Sequence, residues 1–227
     1  MPAHVIDQTV TGDGGELTLH VTEGRYAMRV DGQELMNSGS HGSEERLAVH
    51  GCAGLATKPG ARVLIGGLGM GFTARAALDV LATDAAVVVV EAVPAVVRWN
   101  REVLGHLAGD PLADRRLSVV EADVVDFIAQ AATAYDAILL DIDNGPTALT
   151  TFTNRRLYSV DGLQSAWKAL RPGGVLAVWS TFQDAAFTAR LRTAGFDATA
   201  KRVLAGDGTP RRHVIWLARQ IPVAGRG

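Results

Sequence analysis

Short apolar runs that alternate with helix-length stretches constrain this chain more than any other feature. The runs lie at 63–65, 87–90, 117–120, 137–140 and 175–178. They are aliphatic, largely β-branched and scarcely interrupted by polar residues, as strands buried on both faces should be. Between them, 72–81, 94–107, 124–132 and 160–170 have helical length. Pro94 suits a first helical turn, and Pro172-Gly173-Gly174 reads as a stop before the fifth strand. Alternation of this kind predicts an α/β fold: a doubly wound, mostly parallel sheet with helices on both sides.

Both ends depart from the rhythm. After a helix at 184–194, the runs 198–204 and 213–218 face each other across 205–210 with no room for a helix. They predict a terminal antiparallel hairpin that brings the sheet to seven strands. At the front, 16–20 and 25–29 alternate polar and apolar residues around a Thr22-Glu23-Gly24 turn, and Asp31-Gly32 turns the chain into 33–36. This front is too small for a core of its own and predicts a β appendage over residues 1–42, before an α/β domain over 43–227. A helix is expected at 43–56, with Ser43 as N-cap and Glu44 and Glu45 in its first turn.

Composition narrows the class. Of 227 residues, 25 are Gly and one is Cys, so neither a disulfide framework nor a Cys-based zinc site fits. The six His show no metal-ligand spacing, and no metal is expected. Apolar stretches such as 85–90 fall far short of a membrane helix, and MPAHVIDQTV shows no secretory pattern. A cytoplasmic location without membrane contact is expected. Residues 1–60 carry 4 basic and 8 acidic side chains, and residues 190–227 carry 8 and 2. The basic tail lacks interleaved aromatics, so it reads as a solvated edge and no nucleic-acid partner is expected.

Three motifs carry chemistry. The first strand runs straight into Gly66-Gly67-Leu68-Gly69-Met70-Gly71, and a helix follows. Glycines there allow a sharp turn and close approach of a ligand to the main chain. Twenty residues on, Glu91 ends the second strand, where a carboxylate suits ribose hydroxyls. Gly69-Met70-Gly71-Phe72-Thr73-Ala74 also matches a dinucleotide fingerprint, whereas Gly67-x-Gly69-x-Gly71 resembles the S-adenosylmethionine loop. Glu121-Ala122-Asp123 ends the third strand. Tyr135-Asp136-Ala137-Ile138-Leu139-Leu140-Asp141-Ile142-Asp143-Asn144-Gly145-Pro146 delivers carboxylates and an amide to the carboxyl end of the sheet, where open α/β folds bind ligands. The same residues also suit a local Asx turn.

Taken together, these motifs resemble the aminopropyltransferases, spermidine synthase and its relatives, within the class I S-adenosylmethionine-dependent methyltransferase superfamily. That family places a small β domain before a Rossmann-like domain closed by an antiparallel hairpin. The resemblance implies a cofactor loop of Gly66, Gly67, Gly69 and Gly71, Glu91 for ribose, and Asp123 with Val124 for adenine. It implies Asp141 as the catalytic group at the amine nucleophile, with Asp143, Asn144, Glu44, Glu45 and Tyr158 around the acceptor. Asn144 stands where the family usually has a second loop aspartate. Of the two helix-start acids, both are expected to be exposed.

Three departures stand out. Gly69 replaces the aspartate of G-G-G-D-G-G, which holds the donor's amine. In Ser43-Glu44-Glu45-Arg46-Leu47-Ala48, similar to Y-Q-E-M-L-A, Ser43 replaces the tyrosine and Glu44 the glutamine. The expected activity is aminopropyl transfer from decarboxylated S-adenosylmethionine to a putrescine- or spermidine-like amine in polyamine biosynthesis, by a homodimer. A small-molecule methyltransferase using S-adenosylmethionine, favoured by Gly69, and a non-catalytic nucleoside-binding protein are the alternatives.

Overall fold

The computed structural model describes residues 3–142, 145–146, 152–206, 208 and 210–221. Strands β1 (His4–Val10), β2 (Glu16–Thr22), β3 (Arg25–Val30) and β4 (Gln33–Asn37) form an antiparallel sheet in that order. Both short turns hold two residues at positive φ, Glu23 and Gly24, then Asp31 and Gly32. This is the geometry that matches strand twist in two-residue hairpins. The sequence pattern misses β1. It is an edge strand, largely exposed and with a register shift between Val5 and Asp7, so no burial imposes alternation on it.

Helix α1 (Gly42–Gly51) leads to β5 (Arg62–Gly66), α2 (Phe72–Val80), β6 (Ala86–Glu91), α3 (Pro94–Trp99) and β7 (Leu117–Glu121). Then come α4 (Val124–Ala129), β8 (Tyr135–Leu140), α5 (Phe152–Leu157), α6 (Val160–Ala169), β9 (Leu170–Ser180), α7 (Ala185–Thr193), β10 (Phe196–Leu204) and β11 (Arg212–Gln220). The large sheet has the order β10-β11-β9-β8-β5-β6-β7, and β11 runs antiparallel to both its neighbours. This is the expected doubly wound sheet with its terminal hairpin.

Strand periodicity divides the core in two. Val63 and Ile65 join Val87, Val89, Ala137 and Leu139 under α1, α2, α3 and the small sheet. Leu64, Val90, Ile138 and Leu140 point the other way, into the side chains of α4, α6 and α7. The order reverses at β5, between β8 and β6, and such switch points are where open α/β sheets bind ligands.

Local readings shift in three places. Pro172-Gly173-Gly174 lies inside β9, as a bulge between the pairs Tyr135–Leu170 and Ala137–Val175. The helix expected over 94–107 becomes α3, then a π turn at Asn100–Leu104 and a 3-10 turn at Gly105–Ala108. The first helix is shorter than 43–56, and the residue at its N-cap is His41, with no side-chain capping bond. Ser43 is the second residue of the helix, fully buried, with its hydroxyl committed to tertiary partners.

Candidate functional site

The carboxyl ends of β5, β6, β7 and β8 meet in one place. The Asp141 N–H donates to the Gly66 carbonyl at 2.9 Å, the Gly67 N–H to the Val90 carbonyl at 2.9 Å, and the Ala122 N–H to the Glu91 carbonyl at 3.0 Å. These bonds extend the parallel ladder past the strand ends and hold the glycine loop against its neighbours. Gly67, at φ 86°, lies so close to the Asp141 carbonyl oxygen that a Cβ there would overlap it. Only glycine allows this approach of the two strand ends.

One end of the site uses acids to order backbone. Glu91 is 8% exposed, and its carboxylate accepts the Leu68 N–H at 2.8 Å and the Val93 N–H at 2.9 Å. It thereby ties the glycine loop to the end of β6. Asp123 is the N-cap of α4 and accepts the Val125 N–H at 2.7 Å. Val124 opens that helix and is buried. Asn100 braces the loop from behind, donating to the carbonyls of Gly69 (2.7 Å) and Val96 (2.9 Å). Glycines 67, 69 and 71 at positive φ, with carboxylates ending β6 and following β7, are a set that fits a nucleoside.

The other end brings two acids together. Asp141 Oδ2 accepts the Thr73 hydroxyl at 2.5 Å, and the Glu44 carbonyl lies 3.4 Å from the same hydroxyl. Glu44 is 8% exposed, which overturns its expected exposure: it shares with Leu47, Ala48 and Gly51 the face of α1 that packs on the large sheet. Burial, then the Asp141 charge, push the Glu44 carboxyl up to about 7. Burial likewise raises Asp141 to about 6, opposed by the Thr73 hydrogen bond. Two carboxylates so placed share their protons, and the steps belong to the pair.

Behind Glu44 lies a further polar chain. Ser43 Oγ is 2.5 Å from Glu44 Oε2 and 2.8 Å from His213 Nδ1, and accepts the Trp179 Nε1–H at 3.0 Å. All four residues are buried. The hairpin is held to α1 by the Ser43 N–H on the Ala205 carbonyl at 3.2 Å, and a Cβ on Gly42 would come within 2.8 Å of the Gly206 Cα.

The remaining expected residues separate. Glu45, about 100° round the helix from Glu44, bonds His41 Nδ1 at 2.8 Å. Its side chain is 47% exposed and lines a shallow groove of about 440 Å³ with His41, Phe72, Arg75 and Asp79. Tyr158 is buried with its ring edge-on to Phe187, 5.7 Å between centroids, in the lower core. Asp143 and Asn144 lie outside the described residues. Among the described residues, no cluster of three His, Cys, Asp or Glu side chains is placed to hold a metal, and no helix is long and apolar enough to cross a membrane.

Sequence reasoning missed Thr73, the role of Ser43, His213 and Met36. A Cβ on Gly69 would lie 3.0 Å from the Met36 sulfur, so a thioether from β4 covers the point where an aspartate was expected. His213 carries one weak signal: it is the second residue of β11, whose start is at the ligand-binding edge because that strand runs antiparallel.

A family model described as Spermine/spermidine synthase domain matches residues 44–189. No curated protein sequence matches the chain. Among solved structures, a spermidine synthase in complex with the transition-state analogue AdoDATO is 18% identical with a TM-score of 0.76, covering 95% of this chain and 73% of that one. The spermidine synthase from Thermotoga maritima is 16% identical, TM-score 0.74, over 95% and 72%. A probable spermidine synthase from Corynebacterium glutamicum is 15% identical, TM-score 0.64, over 96% and 80%. At these identities the likeness carries the fold.

Proposed function

The chain belongs to the spermine/spermidine synthase family, and from that premise we propose that it transfers an aminopropyl group from decarboxylated S-adenosylmethionine to an amine. The observation that carries the reading is the pairing of buried Glu44 with half-buried Asp141 beside the glycine loop, bridged by Thr73. Such a pair is costly without a cation, and an ammonium between the two carboxylates relieves both.

The donor supplies a sulfonium, which activates its attached carbon. The chain has three tasks. Glu91 and Asp123, with the backbone of residues 66–71 and the Val124 N–H, hold the nucleoside; Asp141 and Glu44 hold the acceptor nitrogen in line. Asp141 takes the ammonium proton, leaving a lone pair on nitrogen. As the new N–C bond forms the C–S bond breaks, its electrons stay on sulfur, and methylthioadenosine leaves neutral. Thr73 keeps Asp141 oriented. Asp143 is assigned to the acceptor's remote ammonium and Asn144 to the loop beside Asp141 on the family resemblance alone, Tyr158 is left out of the site by its place in the core, and the active form is proposed to be a homodimer.

Gly69 favours a second reading. With no carboxylate there and Met36 above it, nothing at that point opposes a donor that keeps its own carboxylate, as in a methyltransferase. Incubating the protein with each donor and putrescine or spermidine separates the two. Methylthioadenosine and a lengthened polyamine support aminopropyl transfer; S-adenosylhomocysteine in their place supports methyl transfer. Tight donor binding with no product from either refutes both.

A further inference from the structure

We propose that His213, acting through Ser43, controls whether Glu44 carries a proton, and so serves as a positioning residue for proton removal at the Glu44–Asp141 pair. What that proton control is for rests on the aminopropyl-transfer reading; the network itself does not.

The argument is one of hydrogen-bond valence. A serine hydroxyl has one proton to give and two lone pairs. An indole N–H only donates, so Trp179 occupies one lone pair of Ser43 Oγ. One proton and one lone pair are left for Glu44 and His213, at 2.5 and 2.8 Å. Only two arrangements satisfy all three partners. In one, Ser43 donates to the Glu44 carboxylate and accepts Nδ1–H of His213. In the other, a protonated Glu44 donates to Ser43, which donates to a bare Nδ1.

Passing from the second to the first moves a proton from Glu44 to the imidazole. The Oε2–H bond breaks as Oγ–H forms, the old Oγ–H bond breaks as Nδ1–H forms, and Ser43 ends as it began. A proton taken from an ammonium can therefore leave the acid pair without crossing the acceptor site. This is not a hydrolase triad, because the acid bonds the serine rather than the imidazole and Ser43 is fully buried.

The surroundings make Glu44 the sensitive partner. It faces Asp141, just past the end of β8, and Glu45 from its own helix, and both charges disfavour its ionised form. From β9 and β11 come Trp179 and His213, and the His213 ring stands edge-on to Trp179 at 4.8 Å. Arg211 and Arg212 precede His213 in sequence, and Arg211 donates to Ser40 Oγ at 2.8 Å. On α1, Arg46 is directed to the carbonyls of Gly42 and Leu204.

A purely structural role for His213 predicts that asparagine replaces it, since its amide N–H stands near the place of Nδ1. A proton-accepting role predicts the opposite. The test is ¹³C-carboxyl and imidazole ¹⁵N NMR titration from pH 5 to 9, with Glu44 assigned by Glu44→Gln. In the wild type, Glu44 and His213 should respond to common steps. In His213→Asn the Glu44 midpoint should move by about half a pH unit or more, a threefold change in proton affinity. In Ser43→Ala it should rise, and the shared steps should vanish. Independent titration in the wild type overturns the proposal without any variant. So does a Glu44 midpoint in His213→Asn within about 0.2 units of wild type. Where transfer is measurable, the pH–rate limb set by the pair should move with the Glu44 midpoint. Shared titration in a protein that transfers nothing refutes the proposed activity and leaves the His213 assignment standing.

Discussion

Glu91 and Glu44 are equally buried, each 8% exposed, and the chain treats them in opposite ways. Glu91 receives two backbone N–H groups, one from the glycine loop and one from the turn after β6. Glu44 receives one short serine bond and faces a second carboxylate. Depth is therefore not what separates the proposed nucleoside end from the proposed acceptor end. The supply of donors is. Where N–H groups are plentiful, an acid orders backbone. Where they are scarce, it holds protons near neutrality and suits an amine.

The largest expected effect tests the acceptor end directly. Asp141→Asn should lower the transfer rate by about 10²–10⁴-fold, the range of a lost general base, with methylthioadenosine affinity in calorimetry unchanged. A matching loss of affinity would mean that the two ends are not separate. The converse change is Glu91→Ala. It strips the loop of its tie and should weaken nucleoside binding by about 10–100-fold, as expected for losing hydrogen bonds to a charged group. Unchanged binding by calorimetry would show that the glycines alone order the loop.

The pH dependence of stability sharpens the contrast. Folding raises the proton affinity of both Glu44 and Asp141, so between about pH 4 and 7 the folded chain holds more protons than the unfolded one. The pair's contribution is full below pH 4 and is lost as pH rises through about 7. Asp7 and Asp114, held down to about 2 by Trp99 and Arg116 respectively, act oppositely and only in acid, losing their contribution as pH falls through about 2. Glu44→Gln should therefore stabilise the protein at pH 8 by on the order of 1–2 kcal/mol, about 3–6 °C in Tm. The gain should disappear at pH 5. Equal gains at both pH values in thermal melts would exclude charge as the cause.

The smallest effect concerns the loop's cover. Gly69→Asp should cost about 1–2 kcal/mol, from a side chain at φ 53° that meets Met36. Met36→Ala should recover part of that in the double variant, about 0.5 kcal/mol of coupling in denaturant melts. If the costs simply add, Met36 does not occupy the place of the missing aspartate.

The placement of the proposed nucleoside end is legible because each of its residues sits where a visible pattern ends. Residues 66–71, Glu91 and Asp123 each follow a buried apolar run, and a run of that kind marks its own carboxyl end. Asp141 was legible for the same reason. The small sheet was only partly legible, since exposed β1 has no buried face to impress a period on it. The acceptor end resisted reading. Glu44 in a first helical turn looks like an exposed acid favoured by the helix dipole, and nothing local shows the sheet pressed against it.

Sequence by itself determined the parallel strand order's ingredients, the glycine loop and the acids at the strand ends, because these depend on periodicity and on the conformations glycine allows. Only the tertiary structure decided that Ser43, Thr73, Trp179 and His213 meet around Glu44. They come from α1, α2, β9 and β11, and no spacing relates them. Insertion of β11 beside β9 and the close approach of Gly42 to Gly206 bring them together. Hydrogen bonds act over about 3 Å, so such a network exists only once the packing of distant segments has been settled.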